Sequence, residues 1–136
     1  MTQEDNQLAL QDLCARLPYG VIGRYSWKGN EPYNRELTGS LFDELKSSWY
    51  STEDSEFLPY LRPISSMTEE EKKEYHKTFR AEPYGSGSGW VYVESIHSFD
   101  WLNKKMFDYR KLASKGRAIE VTKEELDDLR WQLYPL

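Results

Sequence analysis

Two Thr-x-x-Glu motifs fix the beginnings of two helices in a chain that prolines and glycines otherwise cut into short segments. The motifs are Thr68 with Glu71 and Thr122 with Glu125. In such a capping box the threonine hydroxyl accepts from the backbone N–H of the glutamate, whose carboxylate accepts from the N–H of the threonine. The motifs predict helices over residues 69–79 and 123–133, and strand-like segments separate them, so the chain mixes helices with strands.

Periodicity and breaker residues assign the rest of the chain. Further helices are expected over residues 3–16, 95–107 and 109–115. Strands are expected over residues 21–27, 37–45, 49–50, 56–58, 90–93 and 118–121. Prolines make residues 59–63 a stiff connector. The expected fold is α+β, a small curved antiparallel sheet whose first hairpin joins residues 21–27 to 37–45, packed with three to four helices.

The length of the chain suits one domain over residues 1–136. Residues 82–89, rich in glycine and serine, predict a flexible loop. That loop could separate two domains, but a piece as short as residues 90–136 is marginal as an independent domain. We therefore expect the loop to lie within the single domain.

Charge, hydropathy and the single cysteine indicate the cellular compartment of the protein. The net charge is −5, which repels phosphate backbones at long range. Residues 1–7 are polar and acidic, unlike a secretory signal, and no apolar run approaches the roughly 18 residues that span a bilayer. One cysteine forms no internal disulfide. We expect a cytoplasmic protein without membrane contact.

Cys14 itself is expected in the core. It lies with Leu10, Leu13 and Leu17 at the i, i+3, i+4, i+7 spacing of one helical face. Free cysteine is among the most buried residue types. The four side chains are therefore predicted to pack together against the sheet.

The sequence indicates no enzyme, cofactor or metal. His76 and His97 fall on different predicted helices, and a zinc site would have to recruit carboxylates to them. The stretch 85–89 (GSGSG) lacks the lysine that closes a phosphate-binding loop. No serine sits in a G-x-S-x-G nucleophile elbow.

Aromatic residues make up 15% of the chain, more than one core needs. Exposed tryptophan and tyrosine mark surfaces that bind partners. The candidates for a patch that binds a protein partner or a second copy are Tyr60, Trp90, Tyr92 and Trp131. Packing within the domain explains these side chains equally well at this point.

Residues 104–117, the cationic segment, are the alternative site. The only acid in the segment is Asp108, and its basic residues are Lys104, Lys105, Arg110, Lys111, Lys115 and Arg117. Such clusters bind phosphates, and nearby Tyr109 and Trp101 could stack on bases. Nucleic acid is therefore the second candidate partner. A solvated surface with cations near helix ends is the simpler interpretation.

Three stretches occur together in a recognisable order: 17–21 (LPYGV), 59–75 (PYLRPISSMTEEEKKEY), and 99–110 with FDWLN and FDYR at its ends. Together they resemble an uncharacterised family of small proteins from anaerobic gut bacteria and their prophages. The resemblance covers most of the chain and implies a mobile-element origin but no assigned activity. Members of that family often carry two adjacent histidines before FDYR, where this chain has Lys105 and Met106. That departure argues against a metal or catalytic role at the pair.

These observations favour a non-enzymatic accessory or interaction protein. Nucleic-acid binding through the cationic segment is the alternative.

Overall fold

Helices and strands alternate along the chain, which confirms the predicted α+β class. The computed structural model describes residues 3–51, 55–84 and 89–134, and of residues 3, 47–51 and 84 only the backbone. The helices are α1 (Gln3–Arg16), α2 (Gly39–Ser51), α3 (Glu69–His76), α4 (Ile96–Lys104) and α5 (Lys123–Leu133). The strands are β1 (Ile22–Trp27), β2 (Tyr33–Glu36), β3 (Ser55–Leu61), β4 (Arg80–Tyr84), β5 (Gly89–Val93) and β6 (Ile119–Glu120).

Four of the strands form one sheet in the order β2-β1-β3-β6. Strand β1 pairs antiparallel with β2 and β3, while β6 pairs parallel with β3 at Tyr60 and Leu61. The sheet is therefore mixed, not antiparallel throughout as expected. The parallel pair arises because the chain returns to β3 through a long crossover that includes α3 and α4. Strands β4 and β5 form a separate antiparallel hairpin.

The segment predicted as the second strand, residues 37–45, is helical from Gly39 onward, so that prediction is wrong. Helix α2 also includes residues 49–50, which were expected to be extended. Its first turn is capped by the Thr38 hydroxyl, which accepts from the backbone N–H of Leu41 at 3.2 Å. The buried residues Leu37, Leu41 and Leu45 are spaced by four. That spacing falls on one face of a helix and also on one face of a strand, so the pattern alone does not decide between them.

Residues 59–63 do not form a connector, because β3 continues through Pro59 to Leu61. Pro59 lies opposite Gly23 of β1. A Cβ atom at Gly23 would lie 2.5 Å from the carbonyl oxygen of Leu58 and 2.7 Å from the ring of Phe57. Glycine at position 23 therefore allows β1 and β3 to pair while Phe57 packs beneath them.

The described residues of the loop expected at 82–89 are strand. Residues 82–84 belong to β4 and Gly89 to β5, whereas residues 85–88 lie outside the described residues. The expected strand at 90–93 is confirmed. Both capping boxes form as predicted, although α3 ends three residues before the expected position 79.

Helix α1 has the predicted bounds but packs through a rotated face. Leu10 and Leu13 are buried, at 6% and 1% exposure, and Leu17 is half-buried. Cys14 is exposed, so its expected place in the core is wrong. The reason is that α1 turns Arg16, which is fully buried, toward the interior.

Replacing Leu13 by alanine should lower the free energy of unfolding by about 2–5 kcal/mol, because the change leaves a cavity in the core. Cys14→Ala, one position along the same helix, removes an exposed thiol and should change it by less than about 0.5 kcal/mol. Urea unfolding followed by circular dichroism measures both variants. Equal losses of unfolding free energy in the Leu13→Ala and Cys14→Ala proteins would contradict the packing of α1 through Leu13.

Gly23→Ala should destabilise the protein by about 1–3 kcal/mol, because the added methyl group meets backbone and ring atoms that cannot move aside easily. The matched control is Gly39→Ala in the first turn of α2, where a Cβ atom meets nothing within 4 Å. There the smaller entropy of the unfolded chain should leave stability unchanged or slightly higher. Thermal unfolding measures the stability of both variants. A Gly23→Ala protein as stable as the parent would contradict the close approach of Leu58 and Phe57 to Gly23.

Candidate functional site

The cationic segment is not one continuous helix. Helix α4 ends at Lys104, three residues before the expected position 107. Two non-glycine residues then adopt left-handed backbone conformations, Met106 with φ 63° and Lys111 with φ 58°. These turns give the basic side chains different directions, so they do not share a helical face.

Asp108 organises the rest of the segment by capping a short turn. Its carboxylate accepts from the backbone N–H of Leu112 at 2.8 Å and from the next N–H at 3.0 Å. The helix expected over 109–115 reduces to a single 3₁₀ turn, Ala113–Lys115. Gly116, with φ 71°, ends that turn in the left-handed conformation that glycine adopts readily.

Two of the six candidate cations are engaged inside the molecule. Arg110 forms an ion pair with Asp12 at 2.6 Å. Arg117 is buried, contacts Asn6 through a hydrogen bond and pairs with Glu56 at 3.5 Å. The remaining four are half-buried Lys105 and exposed Lys104, Lys111 and Lys115. Two of the six residues offered for nucleic-acid binding, Arg110 and Arg117, are thus paired with carboxylates of the protein itself.

Two buried arginine–carboxylate pairs hold Phe107 at the centre of this region. Arg16 binds Asp12 through two hydrogen bonds of 2.8 and 3.0 Å and also donates to the carbonyl oxygen of Phe107 at 2.6 Å. Arg62 binds Glu71 through two hydrogen bonds of 2.7 and 2.8 Å, and its guanidinium lies 4.3 Å from the centre of the Phe107 ring. Bidentate pairs of this kind fix geometry as well as charge.

A cavity of about 490 Å³ lies beside the Arg62–Glu71 pair and carries charges of both signs. Its carboxylates belong to Glu70, Glu71, Glu74 and Asp127. Its cations belong to Arg62, Lys104, Lys105, Lys123 and Arg130. The cavity therefore differs from the uniformly positive grooves that follow a nucleic-acid backbone.

The four aromatic candidates separate in the structure. Trp90 and Tyr92 lie on β5 with 65% and 72% of their surface exposed, and Trp131 is exposed on α5. Tyr60 is buried and donates a hydrogen bond of 2.5 Å to the side-chain oxygen of Asn34. Its expected exposure is wrong because the Tyr60 ring packs in the main hydrophobic core.

Trp90 and Tyr92 form one apolar face of the β4–β5 hairpin. They lie opposite Pro83 and Ala81 respectively, and cross-strand partners share a face. All four side chains are exposed. We call Ala81, Pro83, Trp90 and Tyr92 the hairpin face. Sequence reasoning missed two of its members because the Gly-Ser stretch was interpreted as a loop, although such a stretch between two short runs is also a hairpin signal.

The reverse side of the hairpin is the more polar one. It carries Arg80 and Glu82, which form an ion pair at 2.6 Å, together with half-buried Val91 and Val93. A sheet that packs one face on a core normally turns its apolar side inward. This hairpin instead turns the side chains of Trp90 and Tyr92 toward solvent.

Helices α3 and α4 fix the base of the hairpin. Two residues before β4, the Thr78 carbonyl oxygen accepts a 2.6 Å hydrogen bond from the hydroxyl of Ser95, which lies two residues after the end of β5. Tyr75 of α3 stacks on Trp101 of α4, with ring centres 5.5 Å apart, and its hydroxyl donates to Glu94. The direction of the hairpin face is therefore set by these two helices.

In the part of the chain that the structure describes, no three His, Cys, Asp or Glu side chains come close enough together to hold a metal ion. None of the helices within residues 3–51, 55–84 and 89–134 is both long and apolar enough to span a bilayer. No protein-family model, curated protein or solved structure matches the chain.

The buried pair at Glu71 makes stability depend on pH. Hydrogen bonds from Arg62 hold the pKa of Glu71 at about 2, below its ordinary value of 4.5, although burial acts in the opposite direction. A lowered pKa stabilises the folded state fully above the ordinary value, and this contribution is lost as the pH falls from 4.5 toward 2. The contribution at neutral pH is about 3 kcal/mol.

Glu71→Gln should therefore lower the free energy of unfolding at pH 7. In the variant, the unfolding free energy should no longer decrease between about pH 5 and pH 2 by the amount that protonation of Glu71 causes in the parent protein. Urea titrations at a series of pH values measure the effect. Glu70→Gln, at the exposed neighbouring position, is the matched control and should keep the pH profile of the parent protein. A Glu71→Gln protein with the parent profile would contradict the role of the pair.

Proposed function

We propose that this protein is a non-enzymatic interaction protein whose hairpin face binds a protein partner. The observation that carries the proposal is the pair Trp90 and Tyr92, both largely exposed on the same face of a two-stranded sheet. Tryptophan and tyrosine are the residues that most often dominate the binding energy of protein interfaces.

The size of the face supports a role at the centre of an interface. A large aromatic side chain buries about 150–250 Å² in all. With 65% and 72% of their surfaces still exposed, Trp90 and Tyr92 together offer roughly 200–350 Å² to a partner. A stable interface buries about 800 Å² on each partner. The hairpin face would thus form the apolar core, and polar surroundings such as Glu94 would form the rim.

Side-chain contact, not strand addition, is the mode that the composition of β4 favours. Pro83 has no backbone N–H and therefore cannot donate to a further strand along that edge. Proline on an edge strand is a common device against edge-to-edge pairing. The partner is therefore expected to cover the aromatic face of the hairpin and not to extend the sheet beside β4.

Nucleic-acid binding through the cationic segment stays the second candidate and has less support. The internal ion pairs of Arg110 and Arg117 reduce the charge available to a phosphate backbone. The exposed residues Lys104, Lys111 and Lys115 remain available to it. The loss of two cations from six is the reason that the hairpin face ranks first.

The double variant Trp90→Ser with Tyr92→Ser should abolish capture of a specific partner from a lysate of the source organism, because it removes most of the apolar area of the hairpin face. Trp131→Ser, which removes a similarly exposed tryptophan from α5, is the matched control and should retain capture. Both variants should keep the stability of the parent protein within about 0.5 kcal/mol, as checked by urea unfolding.

Equal capture by the parent protein and the double variant would contradict the proposal. Sedimentation velocity of the purified protein tests self-association, since a dimer that the double variant loses would make the partner a second copy. Anisotropy titrations at low salt with single- and double-stranded probes test the alternative. Binding lost on Lys104→Glu with Lys111→Glu would favour nucleic acid.

A further inference from the structure

A second aromatic site lies away from the hairpin face, where the chain turns from β1 into β2. A cavity of about 400 Å³ opens there, within the size range of small-molecule sites. The residues that line it are three aromatics, an asparagine and a glutamate: Tyr25, Trp27, Tyr33, Asn30 and Glu31.

The sequence brings these side chains together through strand alternation and one tight turn. Tyr25 and Trp27 are two residues apart on β1 and so share a face, and Tyr33 lies directly opposite Tyr25 on β2. Gly29, with φ 85°, and a 2.9 Å hydrogen bond from the Asn30 N–H to the Trp27 carbonyl oxygen make the turn. The rings therefore belong to one sheet face and the polar groups to the turn that closes it.

The rings present their faces in different directions. Tyr25 and Tyr33 have ring centres 5.7 Å apart and planes at 78° to each other, which forms a corner. Tyr25 is buried, whereas Trp27 and Tyr33 leave 50% and 51% of their surface exposed. The accessible ring surfaces of Trp27 and Tyr33 thus lie beside the buried ring of Tyr25.

This site already attracts a cation within the molecule. The guanidinium carbon of Arg35 lies 5.6 Å from the centre of the Tyr25 ring, and its Nε donates to the carbonyl oxygen of Glu36 at 3.2 Å. Ring faces attract cations electrostatically, and the attraction is largest where the cation is poorly hydrated. The accessible surfaces of Trp27 and Tyr33 remain for a second cation, and the Glu31 carboxylate supplies the opposite charge.

We propose that this cavity binds a methylated ammonium group, held by the rings of Trp27 and Tyr33 and by the carboxylate of Glu31. Methyl groups weaken the hydration of an ammonium nitrogen and add apolar surface, so aromatic rings replace its water at little cost. A neutral sugar would stack on the same rings but would gain no charge attraction from Glu31. The carboxylate is thus the feature that selects the ammonium group.

The test is a titration with choline and with 3,3-dimethylbutan-1-ol, which has the same shape but carries carbon in place of the charged nitrogen. The indole N–H signal of Trp27 in ¹⁵N-correlated NMR spectra, assigned with Trp27→Phe, reports occupancy. Choline should shift this signal saturably and bind at least about tenfold more tightly than the neutral analogue. Glu31→Gln, a change at an exposed turn residue, should weaken choline binding by about tenfold.

A control variant separates this cavity from the hairpin face, and neutral probes separate an ammonium ligand from other ligands. Trp90→Ser on the hairpin face should bind choline like the parent protein, so this site and the proposed partner site succeed or fail separately. Equal binding of choline and its neutral analogue, a shift with methyl β-glucoside but not with choline, or no saturable shift up to roughly 50 mM would each overturn the proposal.

A further arm separates the sources of the ammonium group. N-acetyl-trimethyl-lysine methylamide that binds several-fold more tightly than choline would assign the site to a modified lysine side chain. Equal binding of the two would assign it to the ammonium group alone.

Discussion

Two buried arginines that both contact Phe107 connect distant parts of the chain. Arg16 reaches from α1 to its backbone carbonyl, and Arg62 lies over its ring from the end of β3. Each guanidinium has its own carboxylate, Asp12 or Glu71. Removing one member of a buried ion pair typically costs about 3–5 kcal/mol, because the other charge is left without a partner. The chain between α4 and β6 therefore depends on both pairs for its place on the sheet.

The same pairs determine where the hairpin face points. Glu71 belongs to α3, so its pair with Arg62 fixes α3 against the end of β3. The segment that holds Phe107 follows α4 directly, so α4 is fixed by the same contact. Strands β4 and β5 lie between these two helices along the chain. The buried ion pair between Arg62 and Glu71 thus orients the exposed side chains of Trp90 and Tyr92.

Local signals in the sequence predicted the structure better than signals that depend on tertiary contacts. The capping boxes are complete within four residues, so both were predicted correctly. The helix over residues 39–51 was missed because leucines spaced by four residues lie on one face of a helix and also on one face of a strand. The exposure of Cys14 followed from the inward turn of Arg16, which depends on a carbonyl group 91 residues away. The sequence left both exposure and core packing open for Trp90 and for Tyr60. The packing of distant residues around each side chain decides between them, and it leaves Trp90 exposed and Tyr60 in the core.

The hydrogen bond that joins Ser95 to Thr78 closes the hairpin at its base and divides the chain into two parts that can evolve at different rates. Residues 79–84 and 89–94 lie between these two positions, and the described residues outside them hold the four-stranded sheet and the buried ion pairs. If the hairpin face binds a partner as proposed, mutations of its exposed residues change the surface that is recognised at little cost in folding stability. In a lineage whose partners change quickly, substitutions should therefore accumulate between these two residues, while Arg16, Arg62 and Phe107 stay the same.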